Sequence, residues 1–458
     1  MTTIEDPPIA ATQAAGYNKS DQPHGDSILV AVVGGGIVGI SLALGLVERR
    51  IRVAVYERAS DIHEVGAGIA FTSVARQCIA RLSPGIVEPL SRVFSENQHA
   101  RDNYWDGYHD RAVAGFSSKD EGLLFQLPNE KMAWSSCLRS HFLQHLARAL
   151  PPGVIHFNKE LVSYTDSNMP GAGCVTLEFA DGTTEFCDAL IGCDGINSRV
   201  RRQMLLNTHP KACEPQYTNK TSYRFVVPME SAKVALGSSR AMNHCMQTGP
   251  GAHLLSYPVA QNTLLNAVLF VSDADKSDDC SRDSIGSIFI SWRPEFRNLL
   301  ALMPDRPMIW HIYDTADFPV PSYASGHVGV AGDAAHASAP HHGAGAGFGV
   351  EDALALVTAL VMAAEESGEI RQSALVTALQ TFSDVRYERT QWLVRSSREV
   401  GDIYEWVYPA SGSNPTKMKA EITARQQKIW DFDVDRMVQS VESCYRDRLK
   451  EIRLRSGA

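Results

Sequence analysis

The run "ILVAVVGGGIVGISLALGLVERRIRVAVYER", residues 28–58, limits the possible folds more than any other stretch of this chain. Its first six residues are apolar and end in glycine, the pattern of a buried parallel strand. Ile40, Leu42, Ala43, Leu46 and Val47 then recur at helical spacing, and "IRVAVYER" reads as a second strand ending at Glu57. Strand, glycine turn, helix and strand make a βαβ unit. Gly34, Gly36 and Gly39 form G-x-G-x-x-G at the turn. Glycine costs backbone entropy, so three in one turn call for a reason. A pyrophosphate approaching the backbone at a helix N-terminus supplies one. Glu57 is placed to accept hydrogen bonds from the ribose of an adenine dinucleotide. The spacing does not separate NAD from FAD.

Two later motifs repeat the theme of an acid at a strand end. "GCDGINSRVR" puts Asp194 and Gly195 after an apolar run. Such an Asp also serves as a plain helix cap. In "VAGDAAHASAPHHGAGAGFGVEDA", Asp333 ends another apolar run, and Pro340 precedes a glycine-rich turn opening a helix. Free N–H groups at a helix start suit a developing negative charge.

The 458 residues exceed what one simple domain usually holds. The expected class is α/β. Residues 1–27 read as a tail with no secretory signal, and "LALVTALVMAA" reads as a buried helix too short to span a bilayer. Residues 134–150 read as an amphipathic helix. "GCVTLEFADGTTEFCDALIGCDG" reads as a hairpin turning at Asp181 and Gly182, then a buried strand at 188–193. Strand-like alternation marks 211–325 as a sheet-rich unit inserted into the first. The expected division is therefore 28–210 with 326–395, an inserted 211–325, and C-terminal helices over 396–458. The tract "QSVESCYRDRLKEIRLR" reads as a solvated helix face, and "YEWVY" as packing. A net charge of -9 disfavours nucleic acid and anionic membranes as partners. Nine cysteines with no C-x-x-C spacing read as buried thiols in a reducing compartment, which points to the cytoplasm. The spacing of His336, His341 and His342 fits no metal-ligand pattern, so no metal is expected.

As an ordered set, GGGIVG, CDG and GD-x-x-H followed by P-x-x-G resemble the group A FAD-dependent aromatic hydroxylases, the family of the salicylate and para-hydroxybenzoate monooxygenases. The resemblance covers about residues 28–395. It implies a Rossmann-like FAD-binding domain (GR2-type), a sheet-rich substrate domain and a helical C-terminal region. It implies that Gly34, Gly36, Gly39, Glu57 and Arg58 hold the ADP part of FAD, with Arg139 near the pyrophosphate. Asp194 would lie near FAD and the passing nicotinamide, and Asp333 would bond the ribityl chain. Pro340, Gly343, Gly345 and Ala346 would line the isoalloxazine edge. Ala344 and Gly347 stand where the family often has Gln and Asn. "GAGIAFT", which contains Gly68, and "HLLSYPVA" are similar to a fungal branch that hydroxylates polyketide-derived phenols, some with dearomatisation, in secondary metabolism. In that branch an arginine and a tyrosine position the phenolate, which here implies Arg224 and Tyr257 as the catalytic pair. Read without the family, Arg224 is a surface charge on a strand and Tyr257 a core residue.

The implied reaction inserts one oxygen from a C4a-hydroperoxyflavin into a phenol, with NADPH or NADH as transient reductant. No second nucleotide-binding glycine motif is present, as expected of a reductant that visits and leaves. A homodimer is left open. The rival from another class is a non-catalytic dinucleotide-binding redox regulator, which has no reason to keep Asp194 and Asp333 at strand ends.

Overall fold

The computed structural model describes residues 28–62, 68–99, 101–108, 122–128, 135–167, 174–273, 281–368 and 370–456. The tail expected over 1–27 lies outside the described residues, and so does Cys280. The apolar run after it becomes the strand Leu29–Val33, buried from Val30 onward. This strand is central to a six-stranded sheet whose order is Ala324–Ser325, Val328–Val330, Ala189–Gly192, Leu29–Val33, Arg52–Tyr56 and Ile155–His156. All pairings are parallel except that of Ala324–Ser325 with Val328–Val330. The helix Ile37–Glu48 crosses from Leu29–Val33 to Arg52–Tyr56 on one side. The chain returns on the other side as Ala189–Gly192. The strand order therefore reverses beside Leu29–Val33, which leaves a crevice at the carboxyl ends of the strands.

A second, seven-stranded sheet stands over that crevice. Its order is Met308–Asp314, Gln216–Pro228, Leu264–Ser272, Ala252–Val259, Cys245–Gly249, Arg101–Asp106 and Leu123–Pro128. The alternation seen in the sequence puts Tyr223, Phe225, Leu254, Leu265, Ala267 and Leu269 on one face. There they pack with Ala232, Phe289, Trp292 and Phe296 into a separate core. The opposite face, with Arg224, Tyr257 and Val268, looks toward the crevice.

Three expectations change. The sheet is not confined to 211–325, because two strands come from 101–128. Their short alternating runs are separated in sequence from the rest and gave no sign of a shared sheet. Residues 134–150 are not one helix: Ser135–Leu138 is a strand paired with Gly68–Phe71, and the helix is Arg139–Arg148. The C-terminal helices start earlier than 396, since Ile370–Tyr404 is one continuous helix. The charged tract near the C-terminus also has an inner face, because Val441, Tyr445 and Leu449 are buried in the main core. The hairpin appears as Val175–Phe179 and Thr184–Cys187, with Gly182 at φ 81°.

The apolar helix Gly345–Ala364 is long and apolar enough to cross a membrane, yet most of it is buried inside the protein. It packs on Ile37–Glu48 and on the long helix Ile370–Tyr404. Two acids interrupt its apolar run. Glu351 and Asp352 are both buried, and Arg386 from the long helix meets each at 2.8 Å. Asp352 also accepts from the Gly332 N–H at 3.0 Å and pairs with His336. One buried cation thus ties two helices to the turn that carries Asp333. Removing one partner of such a network strands buried charge and costs about 3–5 kcal/mol. Arg386→Met is expected to lower unfolding free energy by that amount in urea titrations; a loss under about 1 kcal/mol would refute this role.

Candidate functional site

The three glycine-acid motifs meet because their strands are neighbours. Leu29–Val33, Ala189–Gly192 and Val328–Val330 run side by side and parallel, so Gly34, Asp194 and Asp333 leave from one end of the sheet. Gly34 has φ 108°. A Cβ there would lie 2.3 Å from the Cys193 carbonyl oxygen, so no side chain fits. A Cβ on Gly39 would lie 2.1 Å from the Gly34 carbonyl oxygen, so Gly39 lets the helix close on the turn. A Cβ on Gly36 would meet nothing within 4 Å among the described residues, and Gly36 lines a cavity. The helix it opens has no side-chain cap and no acid in its first turn. Its free N–H groups and positive end are left for an anion.

The cavity measures about 1190 Å³ and lies between the strand ends, the second sheet and the C-terminal helices. That exceeds the roughly 300–1,000 Å³ usual for a single small ligand. Asp333, Pro340, Gly343, Gly345 and Ala346 line it beside Gly36. The helix starting at Gly345 likewise has no capping side chain and no acid in its first turn. Glu57, Arg58 and Asp194 are not among the lining residues. Glu57 bonds backbone instead: its carboxylate accepts from Gly35 N–H at 2.6 Å and from Ala59 N–H at 2.8 Å. Arg58 is exposed. Asp194 accepts from the N–H groups of Arg199 at 2.7 Å and Val200 at 3.2 Å, which makes it a helix cap. Its other oxygen, Oδ1, is buried and has no hydrogen-bond partner among the described residues. Burial pushes its pKa up despite these bonds.

On the far wall, Arg139 opens its helix and lines the cavity with Arg224 and Tyr257. Strand register brings the last two together. Arg224 pairs with Val268, Val268 with Leu255, and Tyr257 stands two residues on, on the same face. Arg224 has no ion pair among the described residues, and its Nε is buried without a hydrogen bond. Its guanidinium lies 4.2 Å from the Trp310 ring centre. Burial lowers its pKa, Tyr257 opposes that and Arg139 adds to it. An arginine nevertheless keeps its charge. The Tyr257 hydroxyl is pushed well above its ordinary pKa by burial, so it stays protonated and able to donate. Gly68 makes room for it: a Cβ at 68 would lie 2.8 Å from the Tyr257 hydroxyl and 2.8 Å from the Asn266 side chain.

Several lining residues were not foreseen. Trp310 belongs to an edge strand, and Gln426, Ile429 and Trp430 come from the helix Pro415–Trp430. Gln426 donates to the Tyr104 hydroxyl at 2.9 Å, joining that helix to the sheet. Nothing in a charged C-terminal helix pattern distinguishes residues that face a cavity from residues that face other protein. The three clustered histidines part company. His336 joins Asp352, whereas His341 and His342 both line the cavity, His342 also bonding the Ser396 hydroxyl at 2.9 Å.

Known proteins resemble this chain along most of its length. Residues 27–397 match the FAD binding domain family. A FAD-dependent monooxygenase, SAT7, of Stachybotrys chartarum is 50% identical over 98% of this chain and 98% of its own length. Salicylate hydroxylase asL1 of Sarocladium schorii is 41% identical, covering 93% of each chain. Among solved structures, a salicylate hydroxylase substrate complex superposes with a TM-score of 0.77 at 30% identity, over 91% of this chain and 98% of that one.

The buried histidines are expected to make the fold less stable in acid. Burial holds the His342 pKa at about 3, and His341 and His253 are depressed in the same direction. A group depressed on folding contributes stability above its unfolded pKa, near 6.5, and loses it as pH falls toward the folded value. Each pH unit in that window removes about 1.4 kcal/mol per histidine. His342→Asn is therefore expected to flatten the fall in urea stability between about pH 6.5 and pH 5 by about that amount per unit. An unaltered slope would contradict it.

Proposed function

Because the chain belongs to the FAD binding domain family and is a flavin-dependent monooxygenase of the salicylate hydroxylase type, we propose that its substrate is a phenol held as the phenolate by Arg224 and Tyr257. The observation that carries this reading is Arg224, which has no acid partner among the described residues and lines the same cavity as the protonated Tyr257. A free phenol has a pKa of about 10. A nearby cation strengthens such an acid by a factor of about ten to a thousand. Ionisation makes the ring carbons ortho and para to the oxygen nucleophilic, and Arg224 and Tyr257 both stabilise the oxyanion.

The strand-end turns fit FAD. Gly36 leaves open space at an uncapped helix start, where a pyrophosphate would meet free N–H groups, with Arg139 as a second cation. In this reading Gly34, Gly36, Gly39, Glu57 and Arg58 hold the ADP part. The unbonded Asp194 oxygen and Asp333 serve the middle of the molecule. Pro340, Gly343, Gly345 and Ala346 face the isoalloxazine. When bound, FAD reduced by NADPH or NADH and combined with oxygen supplies one electrophilic oxygen atom to the ring. The apolar walls, among them Val268, Phe270 and Ile429, exclude water from that exchange.

The likeness to a salicylate hydroxylase supports a phenolic substrate, and the resemblance of "GAGIAFT" and "HLLSYPVA" to the fungal branch supports a substituted, polyketide-like one. If the attacked carbon bears a methyl group it has no proton to lose, and the product is a dearomatised quinol. Incubation with alkylated resorcinol aldehydes, followed by mass and NMR analysis, distinguishes the outcomes: gain of one oxygen with loss of aromatic signals, against gain of one oxygen with the ring intact. Arg224→Gln is expected to retain FAD and lose about a hundredfold or more in kcat/KM for the phenol. Wild-type turnover by that variant would sink the assignment.

A further inference from the structure

Several buried cations of this protein have oxygen partners. Arg386 meets Glu351 and Asp352, and Lys220 meets Glu405. Arg201 donates to the backbone carbonyls of Ile196, Cys213 and Ala334. Arg240 lies 4.0 Å from the Trp105 ring centre and also has Glu295 at 3.1 Å. Among the described residues Arg224 has neither an acid nor a carbonyl, and its Nε is buried without a hydrogen bond. The acids lining its cavity are Glu214 and Asp333. Glu214 pairs with Arg202, and neither acid meets Arg224. Arg139 disfavours the Arg224 charge and Tyr257 favours it. What does lie on Arg224 is the Trp310 ring, its centre 4.2 Å from the guanidinium carbon. Strand register accounts for the contact. Arg224 pairs with Met308 and Ser222 with Trp310, so the two side chains are diagonal neighbours on one face of the sheet. Trp310 lines the cavity, stands on an edge strand and is 45% exposed. Among the described residues it joins none of the apolar clusters. The largest side chain on its strand therefore contributes to no core.

We propose that Trp310 is a positioning residue whose ring holds the Arg224 guanidinium on the cavity wall as a cation that no protein acid neutralises, so that its charge and its N–H donors are left for the phenolate. The proposal rests on the phenol reading above. A guanidinium taken out of water needs compensation. A carboxylate supplies it, but it cancels the charge and occupies the donors, and an arriving phenolate then has to displace it. The face of an indole attracts a cation through its quadrupole, carries no net charge and offers the N–H groups no oxygen. Tryptophan does this better than tyrosine or phenylalanine. The contact also restrains a long, flexible side chain before the substrate arrives, which lowers the ordering cost of binding. Arg240 shows the other arrangement, a ring together with Glu295, and there the charge is neutralised within the protein.

The test needs no turnover. Oxidised holoenzyme is saturated with para-nitrophenol, and the ionised fraction of the bound probe is followed by its absorbance as pH is varied. Trp310→Leu is expected to lower the phenolate-to-phenol ratio of the bound probe about tenfold, which moves its apparent pKa up by about one unit, with FAD content unchanged. Trp310→Phe keeps a ring face and is expected to stay within about threefold of wild type. Arg224→Gln raises the apparent pKa as well. Adding Trp310→Leu to it is expected to change nothing further, because the ring acts through the guanidinium. An ionised fraction in Trp310→Leu equal to wild type overturns the proposal. So does an undiminished effect of Trp310→Leu in the Arg224→Gln background, which makes the ring a direct partner of the probe. Loss of FAD in Trp310→Leu makes the ring part of the fold and overturns it too. A wild-type enzyme that binds the probe without lowering its pKa overturns the phenolate reading itself.

Discussion

The close approach of two strand ends at Gly34 and Cys193 is the contact on which the rest of the site depends. Three parallel strands from distant parts of the chain finish at one level, and only a residue without a side chain lets the first turn fold against the second. The alignment creates the crevice, points an uncapped helix into it and sets Asp194 and Asp333 beside it. The ion network around Arg386 then fixes the third turn from behind, through Asp352. Rigid strands on one side and a buried cation on the other leave these loops little freedom, as positioning at a reactive centre demands.

The second sheet has two unlike faces. One carries alternating large apolar side chains and holds its own helices. The other carries a guanidinium, a phenol and buried histidines, a composition that would be unfavourable in a sealed core. It is tolerated because the charge borders a cavity and lies on the Trp310 ring. The local sacrifice in packing is what makes the wall chemically useful.

Much of the fold was legible in short segments. The βαβ unit, the Asp-Gly hairpin and the apolar helix all declare themselves through local periodicity and turn residues. The tight turn at the glycine motif was legible too, because Gly34 and Gly39 are demanded by contacts only a few residues or one strand away. Arg224 and Tyr257 are different. Alone, each reads as ordinary, and only the family pattern singles them out; the register that turns both toward one cavity spans three strands. Glu405 and Arg386 left no local signal. A charged residue in a helix reads as solvent-facing unless its partner, here on another strand or another helix, is known. The strands at 101–128 were missed for the same reason, since membership of a sheet is decided by distant neighbours.

The interleaving of strands has a consequence for biosynthesis. Leu29–Val33 pairs with Ala189–Gly192, which in turn pairs with Val328–Val330. At translation rates of about 5–20 residues per second, the opening strand waits roughly 15 to 60 s for the last of these to emerge. Until then its apolar edge must be kept from other nascent chains. The crevice begun at Leu29–Val33 is completed only once Val328–Val330 has emerged and paired.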